Sequence, residues 1–143
     1  MQILEMSASD LMPLLQEQLA SGVKVRLGVT GTSMLPLLRS GQDSVLLMPP
    51  QALKNGDILL YRRKNDRYVL HRIIGTEGSA YLCCGDNQWR KETVSPEQIE
   101  AVVCGYSRGD RKQNLDTFRY RFYVNLLPLR RIFCRLRDRL FGK

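Results

Sequence analysis

Residues 58–74, ILLYRRKNDRYVLHRII, contain two apolar runs that are separated by a short charged stretch. The runs at 58–62 and 68–74 are rich in the β-branched, aromatic and other apolar side chains that are typical of strands. The polar residues 63–67 between them predict the tip of a hairpin. We therefore expect an antiparallel pair of strands at this point in the chain.

The segments on both sides of this hairpin show a similar pattern. Residues 23–29 alternate apolar and polar side chains, as a half-buried strand does. Short apolar runs bounded by Gly, Asn, Asp or Pro predict further strands at residues 44–48, 80–84 and 99–106. Residues 88–95 are predicted to form a loop. Short strands joined by turns indicate a mainly β domain over residues 23–106.

A helix is predicted to precede the β domain and to pack against it. Residues 7–10 offer capping side chains, and a helical stripe of leucines reaches to about Ala20 (Leu11, Leu14, Leu15 and Leu19). Ser21 and Gly22 then end the helix. We assign residues 1–22 to this element.

A basic amphipathic helix is predicted at the other end of the chain. It follows a polar linker at residues 107–117, and Pro128 lies near its first turn. Its apolar side chains recur at helical spacing, and arginines occupy much of the remaining circumference (Leu129, Ile132, Phe133, Leu136 and Leu140; Arg130, Arg131, Arg135, Arg137 and Arg139). Linker and helix together make up residues 107–143.

The chain has 143 residues and a formal net charge of +8. This length suggests one domain. The charge is unevenly placed, because residues 1–117 have a balance of +1 and residues 118–143 a balance of +7. No apolar run is long enough to span a membrane, and no export signal precedes the domain. The four cysteines show no CxxC spacing, which favours reduced thiols and a cytoplasmic location over disulfides or a zinc site.

Residues 118–143 fit more than one arrangement. The simplest is a helix whose apolar stripe closes the domain while its arginines face solvent. Alternatively, the helix lies on an anionic membrane surface, which would make the protein membrane-peripheral, at the inner face. An acidic leader peptide or a partner protein could use the same surface. We expect no nucleic-acid partner, because no recognition helix or stacking platform accompanies the arginines.

The hexapeptide at residues 31–36, GTSMLP, contains a candidate nucleophile. Gly31 permits backbone angles that other residues avoid, and Pro36 restricts its own φ, so the turn around Ser33 is pre-shaped. Such a turn can present a hydroxyl to a cleft and direct backbone N–H groups at one point, as a nucleophile with an oxyanion hole requires. The same hexapeptide also fits an ordinary loop.

His71 is the only histidine in the chain. It could be a structural residue, but a serine needs a nearby base in order to attack at neutral pH, and a neutral imidazole suits that role. A carboxylate would then orient the imidazole. Asp86 and Glu92 are the two candidates, and each could equally be a turn or surface residue.

Four blocks in one order carry a family resemblance: SMxP at residues 33–36, KxGDI at 54–58, VLHRII at 69–74 and GDN at 85–87. Together they resemble the superfamily of signal peptidase I and the LexA-type self-cleaving serine peptidases. The resemblance implies a catalytic domain of coiled, partly barrel-like β-sheets. It also implies that Ser33 is the nucleophile and that the oxyanion hole includes its own N–H, with Thr32 assisting. Met34 and Pro36 would line the substrate cleft.

Many members of that superfamily use a lysine base, whereas His71 occupies the corresponding place here. This is similar to the signal peptidases of the endoplasmic reticulum, the archaea and sporulating bacteria, which pair serine with histidine and an acid. In that subgroup the acid often follows the Gly-Asp-Asn turn by several residues, so either Glu92 or Asp86 could serve. Gly31 stands where some members carry a hydroxyl. The transmembrane anchor of signal peptidases and the DNA-binding domain of the repressors are not expected here.

The sequence thus predicts a serine endopeptidase of signal-peptidase-like type that processes a peptide or precursor protein. Ser33 would form an acyl-enzyme, His71 would transfer the proton, and no metal or organic cofactor would be needed. The alternative is a catalytically inactive module on the same fold that binds an extended peptide by β-augmentation. A regulatory protein associated with nucleic acid is a third alternative.

Overall fold

The computed structural model of the protein describes residues 8–142. Its helices and strands are α1 (Ala8–Ala20), β1 (Val25–Gly28), β2 (Ser44–Met48), β3 (Ile58–Arg62), β4 (Tyr68–Glu77), β5 (Ala80–Cys84), β6 (Glu92–Val94), a 3-10 helix (Pro96–Gln98), β7 (Ile99–Arg108), β8 (Arg111–Gln113), α2 (Phe118–Asn125) and α3 (Leu127–Phe141). Ser7, part of the predicted helix cap, lies outside the described residues.

The eight strands form one antiparallel sheet in the order β1-β2-β7-β3-β4-β5-β6, and β8 pairs with β7. The predicted hairpin at 58–74 is β3 and β4, with Leu59 opposite His71. The long β7 returns between β2 and β3 and so joins the two halves of the sheet. The prediction of a mainly β fold with a helix at each end of the chain is confirmed.

Successive side chains of the central strands point to opposite faces of the sheet. One face carries the main core, which includes Leu60, Ala101 and Val103 together with residues of the first two strands. The other face carries a second core (Leu59, Tyr61, Ile73, Cys83, Val94 and Val102). His71 pairs with Leu59 and therefore lies on the second-core face, whereas Arg72 lies on the main-core face.

The N-terminal helix covers the main core. Met12, Leu15 and Leu19 are spaced on one side of α1 and are almost completely buried. They pack in the same cluster as Leu27 of β1 and Val45 of β2. The helix therefore completes the core, although Leu14, which the predicted stripe included, is 46 % exposed.

The C-terminal region differs from the prediction in its elements. Residues 107–113 are not a linker, because β7 continues to Arg108 and β8 pairs with it. The tail then forms two helices. Thr117 caps α2 by accepting a hydrogen bond from the N–H of Tyr120, and Leu126 separates α2 from α3.

The orientation of α3 also differs from the simplest prediction. Arg130, Arg131 and Arg137 face the domain and donate to oxygens of the loop that follows β5. The apolar stripe of α3 faces outward (Leu129, Ile132, Phe133, Leu136 and Leu140). The expectation that this stripe closes the domain is therefore wrong. The physical reason is that carbonyl groups beyond the end of β5 lack partners in the sheet, and guanidinium groups supply the missing donors.

Among residues 8–142, no helix combines the length and the apolar character that crossing a membrane would require.

Candidate active site

The register of the sheet brings His71 and Glu92 together. Residues 88–95 are not entirely a loop, because β6 forms there and pairs Glu92 with Cys83 of β5. Cys83 in turn pairs with Ile73, which is on the same face as His71. Tyr61 of β3 belongs to the same face. Neighbouring strands therefore position one phenol on β3, one imidazole on β4 and one carboxylate on β6, with β5 between the last two.

These three side chains form a hydrogen-bonded group. His71 Nδ1 lies 3.2 Å from Glu92 Oε1 and 3.0 Å from the Tyr61 hydroxyl. The Tyr61 O–H donates to Glu92 Oε1. Arg63 Nε donates to the other carboxylate oxygen, Glu92 Oε2, at 3.1 Å. His71 itself is 2 % exposed.

Electrostatics keep the histidine neutral and the carboxylate ionised. Burial lowers the pKa of His71, although Glu92 partly offsets this effect. Burial tends to raise the pKa of Glu92, but the hydrogen bonds from Tyr61 and Arg63 outweigh it, and the net result is a lowered pKa. Burial and the neighbouring carboxylate raise the pKa of Tyr61, so its hydroxyl remains a donor. At neutral pH the group is an imidazole beside a carboxylate.

A cavity of about 270 Å³ opens beside this group. Its lining includes His71, Glu92 and Arg63, and it continues to Trp89 and Arg90 of the loop before β6. The cavity has polar and charged walls on most sides. His71 contributes to the wall of the cavity, although its side chain is almost completely buried.

The turn that carries Ser33 is held against the loop after β5. Gly31 has a φ of +80°, which a residue with a side chain rarely adopts, and it begins the turn. The Asn87 N–H donates to the Ser33 carbonyl at 2.8 Å, and Asn87 Nδ2 donates to the Thr32 carbonyl at 3.1 Å. Both carbonyls are thus directed toward Asn87.

Gly85 permits the close approach of this turn to the sheet. A Cβ atom at position 85 would lie 2.6 Å from the Ser33 carbonyl oxygen. Arg72 pairs with Cys84, the last residue of β5, and Gly85 is the next residue along the chain. The backbone of Ser33 therefore passes close to the backbone that follows β5.

No hydrogen bond joins the side chains of Ser33 and His71 among the described residues. Within residues 8–142, Ser33 Oγ and His71 Nε2 each have no hydrogen-bonded partner. The backbone N–H groups of Thr32 and Ser33 likewise have no acceptor within that range. The turn can therefore present a hydroxyl and two backbone donors to a ligand.

Asp86 is not brought to His71. Its carboxylate is completely buried and forms a two-fold ion pair with Arg72, with both N–O distances at 2.9 Å. The Tyr123 hydroxyl donates to the same carboxylate at 2.8 Å. Both oxygens are thus occupied on the main-core face, away from the imidazole.

The predicted cleft residues are divided between the core and the surface. Met34 is 2 % exposed and belongs to the main core, where its sulfur accepts the N–H of Asp86 at 3.5 Å. Pro36 is exposed, and its carbonyl accepts a hydrogen bond from Arg108. Pro36 alone of the two has the exposure that contact with a ligand requires.

Tyr61, Arg63 and Asn87 contribute to the site but were not predicted from the sequence. Tyr61 could have been found from strand alternation, since Leu59, Tyr61 and His71 share a face once the hairpin register is known. Arg63 and Asn87 are ordinary turn residues by sequence, and only the folded chain brings them to the site. Among residues 8–142 there is no cluster of His, Cys, Asp or Glu that could hold a metal ion, and the four cysteines are free thiols.

A family model described as Peptidase S24-like matches residues 4–105 of the chain. Comparisons with curated proteins and with solved structures gave no significant match. The matched range contains the Ser33 turn and the His71–Glu92 group and ends within β7, before α2 and α3. It agrees with the observed sheet and supports the superfamily that includes LexA and the signal peptidases. Because the match covers well over half of its length, the chain belongs to the Peptidase S24-like family.

Proposed function

We propose that this protein is a serine endopeptidase in which Ser33 is the nucleophile, His71 the general base and Glu92 the residue that orients His71. The observation that carries the proposal is the contact of 3.2 Å between His71 Nδ1 and Glu92 Oε1. A serine hydroxyl attacks at neutral pH only with a base, and a base on a strand needs a partner that holds its ring and tautomer.

The hydrogen bonds assign the protons of the group. Because the Tyr61 O–H donates to Glu92, the phenol oxygen and the carboxylate are both acceptors for His71 Nδ1–H. Nε2 then carries the lone pair. In this tautomer the imidazole can take the proton of Ser33 Oγ, and Glu92 stabilises the imidazolium that results.

The reaction would proceed through an acyl-enzyme. Ser33 Oγ attacks the scissile carbonyl as its proton passes to His71 Nε2, and the N–H groups of Ser33 and Thr32 stabilise the oxyanion. His71 then protonates the leaving amine. Water, deprotonated by the same nitrogen, hydrolyses the ester and restores Ser33. Binding of the substrate brings the hydroxyl within reach of Nε2, since such hydrogen bonds often tighten only in the complex.

The acid at position 92 favours the Ser–His subgroup of the superfamily, in which the acid follows the Gly-Asp-Asn turn by several residues. In this proposal Asp86 has a structural role, and Glu92 alone is the third member of the catalytic group. The substrate is an extended segment of a peptide or precursor protein. Free cysteines, two of them adjacent, fit a reducing compartment, so the proposal places the enzyme in the cytoplasm.

The test is labelling of the purified protein with a panel of serine-reactive phosphonate and acylating probes, read by intact mass. We expect one adduct on the wild type and none on Ser33→Ala or His71→Ala. Glu92→Gln should label more slowly, because the imidazolium loses its counter-charge. Ser79→Ala, an exposed serine in the turn before β5, is the matched control and should label as the wild type does. An adduct that persists in Ser33→Ala would refute the assignment of the nucleophile.

The absence of a hydrogen bond between Ser33 and His71 favours a second candidate, a peptide-binding module without catalytic activity. In that case no probe would react with the wild type, and a panel of extended peptides would bind without being cleaved. Ser33→Ala would then bind those peptides with unchanged affinity. Cleavage of any of these peptides by the wild type but not by Ser33→Ala would exclude the module.

A further inference from the structure

The helices α2 and α3 expose nine large apolar side chains on the surface of the molecule. We call them the apolar face: Phe118, Phe122, Leu126, Leu129, Ile132, Phe133, Leu136, Leu140 and Phe141. Phe118 is 84 % exposed, and its ring stacks on that of Phe122 in the next turn. A group of large exposed apolar side chains of this size on a folded domain marks a surface that something covers.

The outward orientation of the apolar face is fixed by the opposite side of α3. Arg131 donates to the carbonyls of Gly85 and Gln88, at 2.7 and 3.1 Å. Arg130 and Arg137 both donate to Asn87 Oδ1. Turning the apolar stripe inward would break these charge-assisted bonds to the loop.

The exposed charged residues of α2 and α3 are all arginines. Arg119, Arg121, Arg135 and Arg139 are exposed on the same two helices. The only carboxylate among residues 118–142 is Asp138, which is bonded to Trp89 and Arg137 and points to the domain. Arg135 and Arg139 are four residues apart and lie on one side of α3, where the guanidinium of Arg135 also stacks over the Trp89 ring.

We propose that the apolar face binds the surface of an anionic lipid bilayer, with α2 and α3 lying in the plane of the interface. Aromatic and leucine side chains enter the boundary between headgroups and acyl chains, and the exposed arginines contact anionic headgroups. A second copy of the chain would bring two sets of exposed arginines together, which disfavours self-association through this face. A lipid surface satisfies both the apolar side chains and the charges.

The experiment is co-sedimentation of the purified full chain with vesicles. Vesicles of phosphatidylcholine with phosphatidylglycerol should bind the protein, and vesicles of phosphatidylcholine alone should bind it much less. Added salt should weaken the binding. Ser33→Ala should bind as the wild type does, so the result does not depend on peptidase activity.

Paired variants distinguish the apolar and the cationic contributions. Ile132→Gln/Leu136→Gln should lose most of the binding, whereas Leu14→Gln/Val23→Gln, at residues of comparable exposure on another surface, should not. Arg119→Gln/Arg139→Gln should weaken binding by about fivefold for each charge removed. The control Arg67→Gln/Arg111→Gln removes two exposed arginines elsewhere and should bind as the wild type does. All four replace exposed side chains, and their melting temperatures verify that they fold.

Three outcomes would overturn the proposal. Equal binding to neutral and anionic vesicles would remove the role of the arginines. Absence of binding to both would remove the lipid as the partner. A dimer in light scattering that Ile132→Gln/Leu136→Gln converts to a monomer would assign the face to a second copy instead.

Discussion

His71 and Arg72 are adjacent in sequence, yet the alternation of β4 sends their side chains to opposite faces of the sheet. Each meets a different carboxylate. His71 contacts Glu92 beside a cavity, whereas Arg72 is sealed in an ion pair with Asp86. One step along a strand therefore separates a candidate catalytic pair from a structural pair.

At the scale of single residues, the pKa of His71 provides the first testable prediction. Because burial disfavours the imidazolium, we expect its NMR titration midpoint to lie below the ordinary value of 6.5. Glu92→Gln should lower the midpoint further, since the carboxylate favours the charged ring. As the chain has one histidine, the imidazole signals need no assignment. The control is Glu97→Gln, an exposed carboxylate, and a rise of the midpoint in Glu92→Gln would contradict the contact.

A second prediction separates the two carboxylates. Asp86→Asn leaves Arg72 buried without its counter-charge and should lower the free energy of unfolding by about 3–5 kcal/mol in urea denaturation. The Glu92 side chain is one third exposed, so Glu92→Gln should lower the free energy of unfolding less than Asp86→Asn does. Glu92→Gln should reduce the peptidase activity more than Asp86→Asn does. A double variant, Arg72→Met/Asp86→Leu, should be more stable than either single variant. If Glu92→Gln lost as much stability as Asp86→Asn, this assignment of roles to the two carboxylates would be contradicted.

At the scale of elements, the loop between β5 and β6 connects the parts of the candidate site. Gly85 admits the Ser33 turn, Asn87 binds it, and Glu92 begins the strand that follows. The loop is held from outside by the arginines of α3. The position of the candidate nucleophile Ser33 therefore depends on this loop.

Gly85→Ala tests the close approach. The new methyl group would meet the Ser33 carbonyl at 2.6 Å, so either the turn or the loop must shift. We expect a loss of about 1–3 kcal/mol of stability and slower probe labelling of Ser33. Gly28→Ala is the control, because nothing lies within 4 Å of its Cβ position. Unchanged labelling of Gly85→Ala would show that the turn does not depend on this contact.

The bonds from α3 to Asn87 give a prediction about local stability. Arg130→Gln/Arg137→Gln removes the donors to Asn87 Oδ1, and the amides of residues 85–92 should then exchange hydrogen faster. Mass spectrometry of hydrogen exchange would measure this effect. The variant Arg119→Gln/Arg139→Gln, which removes arginines that do not contact the loop, should leave the exchange unchanged.

At the scale of the whole molecule, buried ionisable groups limit stability on both sides of neutral pH. The lowered pKa of His71 means that the unfolded chain binds more protons just below pH 6.5, so stability falls as the pH decreases through that region. Glu92, with its lowered pKa, adds a further loss on stronger acidification, from about pH 4.5 downward. Burial, helped by Glu92 and Cys84, raises the pKa of the Cys83 thiol from 9.0 to about 12, so stability also falls as the pH rises above 9.

The expected stability profile is therefore a plateau between about pH 7 and 9. Urea denaturation across the pH range would measure it. His71→Gln should reduce the fall between pH 7 and 6, because the group that gains the proton is gone. Stability that increases on acidification through this range would contradict the burial of a neutral imidazole.

The order of short apolar runs determined the strands, because the alternation of side chains and the turn residues between runs are local properties. The blocks around Ser33 and His71 likewise indicated the family and the two leading site residues. The choice between Asp86 and Glu92 could not be made locally. It depends on which face of the sheet each carboxylate reaches, and β6, which places Glu92, is a three-residue strand that only its neighbour β5 stabilises.

The orientation of the C-terminal helices was also decided by tertiary structure alone. The heptad-like stripe of α3 showed that the helix has an apolar and a cationic side, but not which side meets the domain. Carbonyl groups of the loop after β5 accept hydrogen bonds from the arginine side of α3, which leaves the apolar side exposed. Local sequence determines the faces of an element, and the partners supplied by the rest of the fold determine where those faces point.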